Sequence, residues 1–395
     1  MNILFCNSFN VSEIKGGTER ITARISKGLS DCGHHCFLAY KVEIEKTLPL
    51  CKFDDSINVR KASLEDFILR HKIDVIIIQK MTRDVKLFCN IRKKNCLDFK
   101  IYSVLHFAPR FEEDIMNFTK AWNGLKGETK SIKDGIKNIV RIISYPIYKI
   151  CYPKRNRNLY KTVYNYSDRV VLLSNSFVDE YSDFCHLEDK SKFIVIPNAL
   201  SYDVFLPIGK FKEKKQQTLV VSRLVESEKR VSLAFKAWDR IMRDEDNERL
   251  KNEWSLKIVG TGPDEDYYKN FVKELGLKNV EFCGRQQPKP YYEESAIFLM
   301  TSAKEGWGLT LTEAQQFGCV PIAFDSFSSL KDIITDGVNG FIIPNNDIET
   351  YTKKLMELMT NQTLWQKIAK NAIEQSKRYK LDIVINAWEN LINQN

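Results

Sequence analysis

Short apolar runs alternate with amphipathic stretches along most of the 395 residues, and this alternation limits the possible folds more than any single motif. Ile3–Phe9 reads as a first strand, and Phe37–Tyr40, Val75–Ile78, Tyr102–Leu105, Arg169–Leu173 and Phe193–Ile196 continue the series. Between the first two, Ile21, Ile25 and Leu29 recur at helical spacing behind Thr18, which can cap that helix. A second helix covers roughly Leu64–His71. Strands this short and apolar, separated by helices, belong in a parallel sheet covered on both faces.

The second half repeats the pattern without repeating the residues. Strands are expected at Thr218–Ser222, Trp254–Val259, Val280–Cys283, Ala296–Thr301, Val320–Phe324 and Phe341–Ile343, with helices at Val231–Arg240, Tyr267–Leu275, from near Leu311, and at Ile348–Met359. The polar, lysine-rich passage Pro207–Gln217 separates the halves. The expected fold class is therefore α/β, two doubly wound Rossmann-like domains facing a central cleft. Their expected limits are 1–205 and 206–375, with a terminal helix over 376–395 crossing back to the first domain.

Composition narrows the class. A chain that is 43% hydrophobic and 28% charged, with 17 Gly and 11 Pro, is neither collagenous nor disordered, and it is long enough to bury two cores. Ten scattered cysteines lack any C-x-x-C pair, as expected of free thiols in a reducing compartment. The N-terminus runs directly into a strand with no basic leader, and no apolar run is long enough to span a bilayer. A cytoplasmic location follows as the expectation, with peripheral attachment to the inner face of the cell membrane.

That attachment would come from the segment 111–160, which breaks the rhythm. Between Arg110 and Lys161 stand twelve Lys or Arg against five Asp or Glu, so most of the net charge of +9 lies in about an eighth of the chain. Lys133, Lys137 and Arg141 interleave with Ile132, Ile136, Ile139 and Ile143. Such a helix can lie on an anionic membrane surface, or it can pack on its own domain with a solvated basic face. The basic residues are joined to no nucleic-acid recognition element, so no nucleic-acid partner is expected.

Several loops at strand ends could carry chemistry. Gly16 and Gly17, after the first strand and before a helix, would let backbone approach an anion, though an ordinary turn looks the same. Gly260-Thr261-Gly262-Pro263 is similarly open to a ligand-facing or a structural reading. Arg223 and Lys229 could hold a diphosphate as it leaves, or could pair with Glu226 and Glu228 on the surface. The strongest local signal is Glu305-Gly306-Trp307-Gly308-Leu309-Thr310-Leu311-Thr312-Glu313, two carboxylates eight residues apart around a glycine-rich loop and a helix start. Glu313 could accept two vicinal hydroxyls there, while Gly306 and Gly308 bring N–H groups near an anion.

Taken in order along nearly the whole chain, these marks resemble the retaining glycosyltransferases of family 4, which have the GT-B architecture. The matching residues are Gly16-Gly17-Thr18-Glu19, Pro197-Asn198, Ser222-Arg223-Leu224 with Lys229, Gly260-Thr261-Gly262-Pro263, Glu305 to Glu313, and Asp336-Gly337-Val338-Asn339-Gly340-Phe341. The resemblance implies that Arg223 and Lys229 contact a donor diphosphate, Glu313 the ribose hydroxyls and Glu305 the transferred sugar. Backbone from Gly306 through Trp307, Gly308 and Leu309 to Thr310 would approach sugar and phosphate, Arg285 would lie beside the base, and Gly17 under the diphosphate. His106 matches a histidine near the reaction centre. Two departures stand out. Ala199-Leu200-Ser201 replaces the usual continuation after Pro-Asn and lacks its acid, and Trp307 replaces a common phenylalanine.

The implied activity is transfer of a hexose-type sugar from a nucleotide-diphosphate sugar, a UDP-sugar on family frequency, to a hydroxyl of a glycan or lipid-linked saccharide acceptor. Surface polysaccharide or lipopolysaccharide synthesis is the implied setting. No required metal is expected. The alternatives are a GT-B epimerase of nucleotide sugars, a phosphorylase, or a nucleotide-sugar binder without turnover.

Overall fold

The computed structural model describes residues 1–11, 16–43, 51–107, 132–244 and 248–394. They form two units, Met1–Pro197 together with Val384–Asn395, and Asn198–Ile383.

The first unit is built on a seven-stranded sheet of β1 (Asn2–Phe9), β2 (His35–Val42), β3 (Asp55–Asn58), β4 (Val75–Ile78), β5 (Lys100–Leu105), β6 (Arg169–Leu172) and β7 (Phe193–Val195). Its order is β3-β2-β1-β4-β5-β6-β7, and every pairing is parallel. The central strands are apolar on both faces: all four residues of β4 are buried, as the Val-Ile-Ile-Ile run requires beneath helices on either side. Strand β3 escaped the sequence pattern because only Ile57 of its four residues is buried.

The helix Gly17–Asp31 follows β1, and its cap is Gly16, not Thr18. Thr18 lies inside the first turn, buried, and its carbonyl accepts from Thr22 Oγ1 at 2.8 Å. A helix of 35 residues, Ile132–Tyr166, contains Pro146 and Pro153. Residues 111–131 and the side chains of Lys133, Lys137 and Arg141, on which part of the membrane reading rests, lie outside the described residues.

The last helix, Leu381–Ile392, delivers Val384–Asn395 to the first unit. Trp388 is buried there, the Tyr102 hydroxyl donates to the Leu391 carbonyl at 3.2 Å, and His34 Nε2 meets Glu389 Oε1 at 2.5 Å. Gly28 makes room for this helix, since a Cβ at that position would stand 2.5 Å from Ile385 Cδ1.

The second unit has six parallel strands, β8 (Lys215–Val221), β9 (Ser255–Val259), β10 (Val280–Gly284), β11 (Ser295–Met300), β12 (Val320–Asp325) and β13 (Phe341–Pro344), in the order β10-β9-β8-β11-β12-β13. Both sheets therefore reverse winding direction once, between β1 and β4 and between β8 and β11. In sheets of this kind the crevice beyond the carboxyl ends at the reversal takes ligands.

The expected boundary after residue 205 falls inside the second unit, which begins at Asn198. Its first residues are bonded into that unit: Leu200 N donates to the Tyr379 carbonyl at 2.8 Å, and Gln316 Nε2 donates to the carbonyls of Tyr202 and Val204 at 2.7 and 2.6 Å.

Candidate active site

Two of the singled-out residues, Lys229 and Glu305, meet in the loops that follow β8 and β11. Lys229 closes the short helix Glu226–Lys229, and its ammonium forms an ion pair with Glu305 Oε1. Ser302 Oγ donates to the same oxygen at 2.7 Å. Glu305 Oε2 has no partner among the described residues, so one carboxylate oxygen is held while the other is left to accept. The surface pairing of Lys229 with Glu228 does not occur, and Glu226 instead accepts from Ser232 Oγ at 2.6 Å. Arg223 is exposed at the end of the β8 loop and has no side-chain partner among the described residues.

Arg230, which sequence reading passed over, fixes this arrangement. Its Nε donates to the Thr301 carbonyl at 2.9 Å and its Nη2 to the Ser302 carbonyl at 2.8 Å, while Nη1 and Nη2 reach Asn346 and Asn345. Burial lowers its pKa. Arg230 has a left-handed backbone, φ 47°, so the chain turns sharply between two helices there. Two more bonds join the same loops, Ala303 N to the Glu228 carbonyl at 2.8 Å and Thr301 Oγ1 to the Lys229 carbonyl at 2.9 Å. Lys229 and Glu305 thus sit on a braced frame.

Glu313 lies in the helix Leu309–Gln316 and is fully buried. Tyr292 donates its hydroxyl to Glu313 Oε2 at 2.9 Å, and Ser201 donates to Oε1 at 2.5 Å. Ser201 belongs to the stretch that departs from the family pattern, so the position without an acid carries a donor aimed at Glu313. Gly308, φ 88°, turns the chain into this helix. The amides of Leu309 and Thr310 open its first turn, where N–H groups lack intrahelical acceptors.

Trp307 points inward. It is buried, with its ring edge-on to Tyr379 at 5.3 Å between centroids, and the Gly306 carbonyl accepts from Ser329 Oγ at 3.0 Å. Gly260 and Gly262 have a packing role. A Cβ at Gly260 would stand 1.8 Å from the Ser222 carbonyl oxygen, and one at Gly262 2.2 Å from that of Leu224. The two glycines let this loop lie against the Arg223 loop, tied to it by Leu224 N to the Thr261 carbonyl at 3.0 Å. Arg285 is exposed just past the edge strand β10.

The first unit holds its own set. His106 lies just past β5 and Gln79 just past β4, both buried, with His106 Nε2 2.5 Å from Gln79 Oε1. Burial, then the nearby Lys80 charge, lowers the His106 pKa to about 3, so its ring is neutral across the ordinary pH range. With Nε2–H donating to the amide oxygen, Nδ1 carries the lone pair. Lys80 bonds to the buried Glu19 at 2.8 Å. Gly16 is half-buried and Gly17 exposed at the start of the Gly17–Asp31 helix, and a Cβ on Gly16 would meet Glu19 Oε2 at 2.6 Å. Among the described residues, no group of three or more His, Cys, Asp or Glu gathers in a way that could hold a metal.

Residues 204–375 match the family model described as glycosyl transferases group 1. The chain is 28% identical over 207 residues to an uncharacterized glycosyltransferase of Haemophilus influenzae, covering 52% of this chain and 57% of that protein. It is 23% identical over 242 residues to the poly(glycerol-phosphate) alpha-glucosyltransferase of Bacillus subtilis, covering 61% and 34%. The chain thus spans about half the length, or less, of most of the curated relatives it matches. Among solved structures, the lipopolysaccharide outer core galactosyltransferase WaaB in its apo form superposes with a TM-score of 0.68 at 18% identity, and Anabaena Alr3699/HepE in complex with UDP and glucose with 0.69 at 15%; each match covers 99% of both chains. The chain has the GT-B-type architecture of two Rossmann-like domains and is related to several bacterial surface-polysaccharide glycosyltransferases.

Proposed function

We propose that the protein is a retaining glycosyltransferase that moves a hexose-type sugar from a UDP-sugar to a hydroxyl of a glycan or lipid-linked saccharide in surface-polysaccharide synthesis. The observation that carries this reading is the braced Lys229–Glu305 pair, with one carboxylate oxygen left to accept.

In the proposed reaction the acceptor oxygen attacks the anomeric carbon on the face from which the diphosphate leaves. The bond from that carbon to the phosphate oxygen breaks, and this oxygen takes the acceptor's proton. Arg223 and Lys229 stabilise the negative charge growing on the leaving group, together with the first amides of the Leu309–Gln316 helix. Glu305 orients sugar hydroxyls through Oε2, and Glu313 receives the ribose. Arg285 is assigned to the base and Gly17 to the diphosphate. His106, neutral, accepts a hydrogen bond through Nδ1 in the first unit.

Relatives support the substrate classes. HepE is recorded in complex with UDP-glucose, and a Campylobacter jejuni relative, 24% identical over 261 residues, is named as a transferase acting on a saccharide linked to PP-undecaprenol. Mass analysis after incubation with a panel of UDP-sugars and lipid-linked acceptors tests the reading. A product heavier by one hexose-type residue, lost in Glu305→Gln, supports it. An altered nucleotide sugar without acceptor would mean an epimerase, sugar phosphate formed from inorganic phosphate a phosphorylase, and tight UDP binding without turnover a binder.

The reading extends to an anionic membrane surface. Ile136, Ile139, Val140, Ile143 and Ile147 are exposed on the long helix. On an ideal helix they span an arc of about 100°. Exposed Lys149, Lys154 and Arg155 follow them. No helix among the described residues is long and apolar enough to cross a membrane. Sedimentation with anionic but not neutral liposomes is the expected result, and equal absence from both would remove the membrane from the account.

A further inference from the structure

The first sheet carries a cavity of about 430 Å³ at the carboxyl ends of its central strands. That volume is within the range of small-molecule sites. Its charged lining is three cations, Lys41, Lys80 and Arg83, against one carboxylate, Asp84. Two of the cations are set in place: Lys41 bonds Asp84 at 2.5 Å, and Lys80 bonds Glu19 at 2.8 Å. Arg83 differs, being exposed and without a side-chain partner among the described residues. Beside this basic rim, Met81, Phe107 and Leu159 give the cavity an apolar wall.

We propose that this cavity holds a phosphate or diphosphate ester carried by the acceptor, with Arg83 as its anchoring cation. A guanidinium presents a planar fork of donors that matches two phosphate oxygens, and an unpaired one gives up no existing ion pair when the anion arrives. Lys41 and Lys80, each neutralised by its own carboxylate, hold N–H donors in fixed positions and leave Arg83 as the uncompensated charge. The apolar wall accommodates what the phosphate is attached to. His106, which also lines the cavity, adds no charge, since its ring is neutral, and is left to meet a hydroxyl. The word acceptor rests on the transfer reading above, whereas the anion site rests on the cavity alone.

The test is calorimetric titration of the full chain with citronellyl diphosphate, with sn-glycerol 3-phosphate, and with citronellol as the uncharged control. Arg83→Gln and Arg223→Gln are titrated in parallel, and UDP is titrated into each. At least one phosphate ester should bind while citronellol does not. Arg83→Gln should weaken that binding at least tenfold with its melting temperature and UDP affinity unchanged, and Arg223→Gln should leave it intact. Preference for citronellyl diphosphate marks a lipid carrier as the source of the anion, and preference for glycerol phosphate marks a polyol-phosphate chain. Failure of both esters to bind, equal binding of citronellol, or loss through Arg223→Gln alone would overturn the proposal. If UDP fails to bind while Arg83-dependent phosphate binding persists, the transfer reading falls and the anion site stands.

Discussion

The Tyr292 hydroxyl donates to Glu313 Oε2 at 2.9 Å, from a helix that ends where β11 begins. The bond orients the carboxylate assigned to the ribose. Tyr292→Phe removes it at constant ring packing, leaving a buried acceptor less satisfied, and a stability loss of about 1–2 kcal/mol is expected in urea unfolding. UDP affinity should drop several-fold in calorimetry. An unchanged UDP affinity would separate Tyr292 from donor binding.

Ser201 acts on the other oxygen in the opposite sense. It donates to Glu313 Oε1 at 2.5 Å and so occupies a position a ribose hydroxyl would use. Ser201→Ala should bind UDP about as tightly as the parent or up to roughly threefold tighter, because the ligand no longer displaces an internal bond. Weaker binding would make Ser201 a donor-site ligand.

Arg230 joins the Lys229 loop to the Glu305 loop through two backbone carbonyls and two asparagines. Arg230→Ala leaves those carbonyls without their donor and is expected to cost about 2–4 kcal/mol in unfolding experiments. Arg230→Lys should recover only part of it, since an ammonium cannot reproduce the fork. Equal stability of the parent and the alanine variant would remove Arg230 as the brace.

Gly260→Ala should be far more harmful than Gly276→Ala. Both glycines have positive φ, 138° and 68°, but a Cβ at Gly276 meets nothing within 4 Å, whereas at Gly260 it collides with the Ser222 carbonyl. Gly276→Ala should cost about 1 kcal/mol and Gly260→Ala more than about 3 kcal/mol, or prevent accumulation of folded protein. Thermal melts of the two variants decide it.

The acid side of the stability curve should depend on His106. Its folded pKa, about 3, is below the unfolded value near 6.5, so the unfolded chain takes up a proton first as pH falls. Stability from this group is complete above pH 6.5 and is lost on the way down to pH 3. At pH 5 the loss should be about 2 kcal/mol relative to pH 7, and His106→Gln should lack that component. Urea midpoints of both proteins at the two pH values measure the difference.

The strands were readable wherever burial on both faces imposed an unbroken apolar run, and β4 falls at Val75–Ile78 as its sequence predicts. Strand β3 was not, because a mostly exposed edge strand needs only Ile57 inside. The motif residues Lys229, Glu305 and Glu313 could be picked out from local glycine and charge spacing. Arg230, Tyr292 and Ser201 could not, since each acts on partners that the chain reaches only after folding, Ser201 on a residue 112 positions away. Trp307 shows the converse: a motif position fixes residue type without fixing direction, and here the indole supports the loop from within.

The return of Val384–Asn395 to the first unit has a consequence for synthesis and for engineering. Ile385 and Trp388 are interior residues of that unit, so its core remains incomplete on the ribosome until residues 384–395 have emerged, long after the rest of the unit. A fragment cut at Pro197 would expose the groove that Gly28 keeps open, and a dissection of the two units would have to graft residues 384–395 onto the first.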